Sequence, residues 1–160
     1  MPAPLALTGG NPAVTLKPQP WPLIGDQEVP WMEEVVRSGK WSWMGPHETA
    51  FTEEFRQFLG ANYAMCVSNG TVSIQCALQA VGVEPGDEVI VPGLTWVATA
   101  QAALDIGAQV VLVDIDPETL CLDPQAVAAA ITPRTRAIVP VHLYGCMCDM
   151  DALGELARKH

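Results

Sequence analysis

The chain has 160 residues, of which 49% are hydrophobic and 16% charged, enough to bury a real core. Its formal net charge of -10 argues against nucleic acid or an anionic membrane as partner, so an anionic ligand would be held by backbone dipoles and not by a basic patch. No apolar run reaches membrane-spanning length.

Pro and Gly crowd the first 46 residues; residues 1–22 lack a charged start followed by an apolar block and read as a loose arm and not a signal peptide. A short helix is predicted between Asp26 and Ser38, with Trp31, Val35 and Val36 on one face. Trp41 and Trp43 follow within the Pro/Gly-rich run, where they either line a pocket or bury the arm against a partner surface.

From His47 onward the pattern is regular. Glu48 to Leu59 is amphipathic, with Phe51, Phe55 and Phe58 spaced for one stripe and Gly60 to end it. Ala64 to Val67 reads as a short buried strand. It leads into Ser68-Asn69-Gly70-Thr71, a turn that opens a helix over Val72 to Val81. Ser68 and Asn69 can cap, Gly70 permits close backbone approach, and Thr71 adds a hydroxyl beside the first free amides. Unpaired amides and the helix dipole favour an anion such as phosphate there, although an ordinary capped helix has the same sequence. Asp87 to Pro92 is a strand with a proline stop, Thr95 to Asp105 a helix, and Gln109 to Val113 a second strand closed by Asp114. Asp123 and Pro124 start a helix through Ala130; Arg136 to Val141 is a third strand, and Asp149 opens a last helix.

Alternating helices and continuously apolar strands predict a parallel sheet covered on both faces. In such sheets ligands sit at the carboxyl ends of the strands. Weight therefore falls on Ser68–Thr71, Gly93–Trp96, Asp114–Asp116 and His142–Gly145. Asp114 and Asp116 read as turn and cap residues ahead of Pro117, with an acid–base pair as the other possibility. Cys66, Cys76, Cys121, Cys146 and Cys148, an odd number scattered through apolar segments, read as buried free thiols of a reducing compartment, hence a cytoplasmic protein. Cys146 and Cys148 lack the second pair that a metal site needs, and no metal is expected.

Six segments carry a resemblance in their order and spacing: Ser68–Thr71, Gly82–Pro92, Thr95–Thr99, Val113–Pro117, Pro140–Gly145 and Asp149–Asp151. Together they resemble the DegT/DnrJ/EryC1/StrS sugar aminotransferases, which have the fold of aspartate aminotransferase. The stretch Trp41–Phe55 is similar to the branch that holds aminohydroxybenzoate synthases and scyllo-inosose aminotransferases. The resemblance implies an α/β fold, the N-terminal part of the large, mainly parallel-sheet domain of a fold-type I pyridoxal-phosphate (PLP) enzyme. Residues 1–46 would be an arm and 47–160 the first part of the PLP-binding domain. It implies transfer of an amino group from glutamate or glutamine to a keto-sugar or keto-cyclitol, by a homodimer.

The same resemblance assigns Asn69, Gly70 and Thr71 to the cofactor phosphate and Trp96 to the pyridine ring, against a core aromatic as the plain reading. His142, Trp43 and Met44 become candidate substrate contacts; a structural histidine is the other reading of His142. No catalytic residue is expected within this chain. The Schiff-base lysine and the aspartate against the pyridine nitrogen would lie beyond residue 160, and none of Lys17, Lys40 and Lys159 follows a sheet strand in a cofactor-facing turn. Rival readings are a dehydratase or aromatising enzyme with the same cofactor, and a non-catalytic binding or regulatory module. A dinucleotide-binding domain is disfavoured, because no Gly-x-Gly-x-x-Gly follows Cys66–Val67.

Overall fold

A computed structural model of the chain describes residues 4–17 and 19–160, so Met1–Ala3 and Pro18 of the expected arm lie outside the described residues. The chain divides into two compact units, Met1–Ala64 and Met65–His160.

The first unit holds a 3-10 turn at Ala6–Thr8 and two helices, α1 (Glu28–Ser38) and α2 (Pro46–Leu59). Helix α1 begins two residues later than expected, and its predicted apolar face is open: Trp31 and Val36 are exposed and Val35 half-buried. Helix α2 begins two residues earlier than expected. Pro46 takes its first position, where the missing N–H costs no hydrogen bond. Gly60 ends it in the left-handed conformation, its amide and that of Ala61 returning to the Arg56 and Gln57 carbonyls. On this helix Phe51 and Phe55 stack with centroids 5.5 Å apart. Arg56 and Gln57 both donate to the Glu53 carboxylate and hold it down to about 2.

The second unit is a three-stranded parallel sheet in the order β2-β1-β3, made of β1 (Glu88–Pro92), β2 (Gln109–Val113) and β3 (Thr135–Ile138). Helices α3 (Gly70–Ala80) and α4 (Ala98–Asp105) cover one face; α5 (Pro124–Ala130) and α6 (Met150–Lys159) cover the other. Successive side chains of a strand point to opposite faces, and β1 uses this fully. Val89 and Val91 join Leu78 and Ala103 beneath α3 and α4, while Ile90 joins Val113, Val127 and Leu153 beneath α5 and α6. All five residues of β1 are buried, as the continuous apolar run predicts.

Capping follows the sequence closely. Asp123 Oδ1 accepts from Gln125 N at 2.8 Å ahead of Pro124, and Asp149 Oδ1 accepts from Ala152 N at 2.9 Å. Gly107, at φ +82, could not be replaced freely, because a Cβ there would stand 3.0 Å from Pro85 Cβ.

Four expectations need correction. Ala64 to Val67 forms no strand, and Met65 and Cys66 are exposed. A strand exists only through a partner, and neither edge of the described sheet pairs with this segment. The third strand is shorter than Arg136–Val141. Val139 N still donates to Ile90 O at 2.9 Å, but Pro140 has no N–H with which to continue the ladder. The helix expected from Thr95 starts at Ala98, with Thr95 Oγ1 2.9 Å from Thr99 Oγ1 ahead of its first turn. Finally, only Cys121 and Cys148 are buried thiols; Cys76 is half-buried, and Cys66 and Cys146 are exposed.

Candidate functional site

The three strands are parallel, so the segments that follow them gather along one edge of the sheet. The segment after β1 leads to α4 on one face, and those after β2 and β3 lead to α5 and α6 on the other. In sheets of this kind ligands sit at such a divergence, here beside the carboxyl end of β1. Helix α3 reaches the same edge from the other direction. It ends seven residues before β1 begins and packs Ile74 and Leu78 against Val89 and Val91. It therefore runs back along β1, and its eleven residues span about 16 Å, the length of a five-residue strand. Its N-terminus lies at the carboxyl edge.

That N-terminus is prepared on one side and open on the other. Asn69 Oδ1 accepts from Val72 N at 3.0 Å, and Asn69 O from Ser73 N at 3.1 Å. The amides of Gly70 and Thr71 find no partner among the described residues. A Cβ built on Gly70 would meet nothing within 4 Å. Within the described residues no neighbour requires glycine there. Free amides, a positive helix end, a hydroxyl at Thr71 and an unfilled Cβ position suit a phosphate group.

Trp96 lies between β1 and α4, four residues beyond the end of the strand, and Thr99 N donates to its carbonyl. Trp96 is 78% exposed, so it is not a core aromatic among the described residues, and its ring is open at the carboxyl edge of the sheet. After β3, His142 accepts from Cys148 N at its Nδ1, 3.1 Å away. The histidine is thus part of the loop's own framework; with Nδ1 accepting, a proton on the ring sits on Nε2, which has no partner among the described residues. Cys148 is buried; burial pushes its thiol up, so it stays protonated and donates to Val141 O at 3.1 Å. Cys121 donates to Cys146 O at 3.3 Å. Among the described residues no three His, Cys, Asp or Glu side chains are arranged to hold a metal ion.

Asp116 Oδ1 accepts from the amides of Glu118 and Thr119 at 2.8 and 2.9 Å, and these bonds hold its carboxyl below the usual range. Asp114 lends its carbonyl to Asp123 N at 3.2 Å. Both are turn residues and not an acid–base pair. Trp43 and Met44 belong to the first unit, in the connection between α1 and α2. Trp43 is 80% exposed, Met44 is exposed with a left-handed backbone at φ +58, and neither lines the small hollow formed there by Val35, Trp41 and His47.

Within the weighted segment His142–Gly145, one residue has a backbone that the sequence does not foretell. Tyr144 has φ +53 and ψ +23, a left-handed conformation that costs a non-glycine residue about 1–2 kcal/mol. Its side chain is 86% exposed, so packing does not offset that cost. Gly145 beside it marks a turn, but nothing local in the sequence says that a tyrosine occupies the unusual backbone.

The fold and the edge define an α/β domain of the kind found in solved aminotransferases, of whose length the chain spans about 36%. The chain belongs to the DegT/DnrJ/EryC1/StrS aminotransferase family, whose profile matches residues 22–160. It is 47% identical over 163 residues to the L-glutamine:scyllo-inosose aminotransferase of Streptomyces griseus, covering 98% of this chain and 38% of that protein. It superposes on the crystal structure of 3-amino-5-hydroxybenzoic acid synthase with a TM-score of 0.81 at 44% identity, over 88% of this chain and 37% of that one. The NtdA structure from Bacillus subtilis, with bound cofactor PMP, gives 0.79 at 38% identity, over 85% and 32%. The chain thus spans about 38% of the length of that relative.

Proposed function

We propose that the whole protein is a PLP-dependent aminotransferase that moves an amino group from L-glutamine to a keto-cyclitol of the scyllo-inosose type. The observation that carries this reading is the α3 N-terminus: a capped turn with two unpaired amides and an unfilled glycine, at the same sheet edge as an exposed tryptophan. The name of the Streptomyces griseus relative supports donor and acceptor, and the PMP of the Bacillus subtilis structure supports the cofactor.

In this reading the amides of Gly70 and Thr71 and the Thr71 hydroxyl hold the cofactor phosphate, and the Asn69 side chain keeps the turn in place. Trp96 covers one face of the pyridine ring, and the Nε2–H of His142 is available to an oxygen of substrate or cofactor. When bound, the cofactor supplies the electron sink that amino-group transfer needs. Residues 47–160 are the first part of the cofactor-binding domain and 1–46 an arm. Trp43 and Met44 serve a site shared between two subunits of a cytoplasmic homodimer. Among the described residues no helix is long and apolar enough to cross a membrane, which is compatible with that location.

The likeness to 3-amino-5-hydroxybenzoic acid synthase favours a second reading, a dehydrating and aromatising enzyme on the same scaffold. The full-length protein reconstituted with PLP decides between them. The expected result is a change in cofactor absorbance on adding L-glutamine, reversal on adding scyllo-inosose, and an aminated cyclitol by mass spectrometry. An unchanged spectrum overturns the aminotransferase reading, and an aromatic product from an aminated cyclic keto acid favours the second.

A further inference from the structure

The loop after β3 is tied down along its length. Val139 N bonds to Ile90 O, Leu143 N to Val141 O, Cys146 N to Leu143 O and Cys148 N to His142 Nδ1, while the Cys121 thiol holds the Cys146 carbonyl from outside the loop. At the top of this braced loop the backbone turns left-handed at Tyr144 and again at Gly145, and lifts the tyrosine ring into the open. A glycine or asparagine would suit this backbone better. Among the described residues nothing packs on the ring, and a tyrosine does not ease this backbone, so these residues do not account for a tyrosine here. What the loop does provide is an aromatic side chain on a braced backbone, at the sheet edge where Gly70, Thr71 and Trp96 also stand.

We propose that Tyr144 is a specificity-determining residue for the keto-cyclitol, an inference that rests on the aminotransferase reading. A cyclitol of the scyllo series carries its ring hydroxyls equatorially, so both faces of the ring are arrays of axial C–H bonds. An aromatic face held by a braced loop matches such an array, and the tyrosine hydroxyl can serve an equatorial hydroxyl at the rim. Glutamine, an extended chain, offers no such face. Tyr144 therefore acts in the second half of the reaction and not in the first.

The test uses the full-length, PLP-loaded protein and the variants Tyr144→Ala, Tyr144→Phe and Tyr144→Asn. Tyr144→Ala and Tyr144→Asn should raise KM for scyllo-inosose about tenfold, equivalent to about 1.4 kcal/mol, with the L-glutamine half-reaction unchanged. Tyr144→Phe should stay within about threefold of the parent. Binding of scyllo-inositol, the unreactive alcohol, measured by calorimetry should weaken in parallel. Tyr144→Asn relieves the left-handed backbone, so its thermal midpoint should equal or exceed the parent's, which separates lost recognition from lost folding. Parent-like KM and scyllo-inositol affinity in Tyr144→Asn, or equal damage to both half-reactions, overturns the inference. A parent protein that does not respond to glutamine overturns the aminotransferase reading instead.

Discussion

Gly70 and Thr71 show how a local cost can mark a function. Glycine inside a helix is less favourable than alanine by about 0.5–1 kcal/mol, and no neighbour here requires it. Gly70→Ala should therefore leave the thermal midpoint of the cofactor-free protein equal or higher, yet weaken cofactor binding in the complete enzyme by crowding the free amides. Thr71→Ala removes one hydrogen bond to a charged group, about 1.5–3 kcal/mol, or roughly ten- to a hundredfold in cofactor affinity. Equilibrium titration with PLP checks both; parent-like affinities in the two variants would take the phosphate away from this turn. For Trp96, 78% exposed, the expectation is that Trp96→Ala folds normally and binds PLP more weakly, that Trp96→Phe keeps most of the affinity, and that bound cofactor quenches Trp96 fluorescence. Unfolding of Trp96→Ala would return the residue to the core.

At the scale of elements, what was legible depended on how local its cause was. The strands at β1 and β2, the helices opened by Asp123–Pro124 and Asp149, and the stop at Gly60 are set by residues within a few positions, and the structure keeps them. Ala64–Val67 has the composition of a strand but no partner in the described sheet, and pairing is a property of the partner too. The left-handed backbone of Tyr144 sits in a loop held by Cys121, 25 residues from its partner Cys146, and by Cys148, so its cause is not local; the exposure of Trp96 is likewise set by the surrounding fold. A further long-range feature, invisible in sequence, is the buried Glu88 at the start of β1. Its carboxylate receives Thr132 Oγ1 at 2.5 Å and the Arg134 guanidinium, from 44 and 46 residues away. Those bonds, led by that of Thr132, hold the Glu88 carboxyl below the usual range. A carboxyl lowered in the folded state stabilises it above the unfolded pKa of about 4.3, and that contribution is lost as pH falls through the lower folded value. Glu88→Gln should therefore lower stability at neutral pH and flatten the loss of stability below about pH 4.3. Denaturant melts between pH 3 and 7 read this directly, and parallel curves for parent and variant would show that Glu88 is not coupled to folding.

For the 160-residue chain as a whole, two opposing effects meet. The net charge of -10 keeps copies apart, but charge repulsion between exposed groups is screened beyond about 8–10 Å at physiological salt. Contact-range attraction is abundant. β2 and β3 each have one edge without a partner in the described sheet, and Leu112 on β2 is 68% exposed. β3 and α6 frame an apolar hollow of about 230 Å³ between Ile131, Ile138 and Leu156. In the first unit Trp21, Trp41 and Trp43 stand largely in solvent. Unpaired edges and exposed apolar faces act at contact distance, inside the screening length, so attraction should win. The expected outcome for the isolated 160-residue polypeptide is concentration-dependent association at micromolar protein, read by sedimentation velocity. It should weaken little when salt is lowered, since repulsion is the lesser term. A monomer that sediments as one species and unfolds cooperatively would mean that these edges and faces are satisfied within the chain, and would return weight to the reading of a self-sufficient binding module.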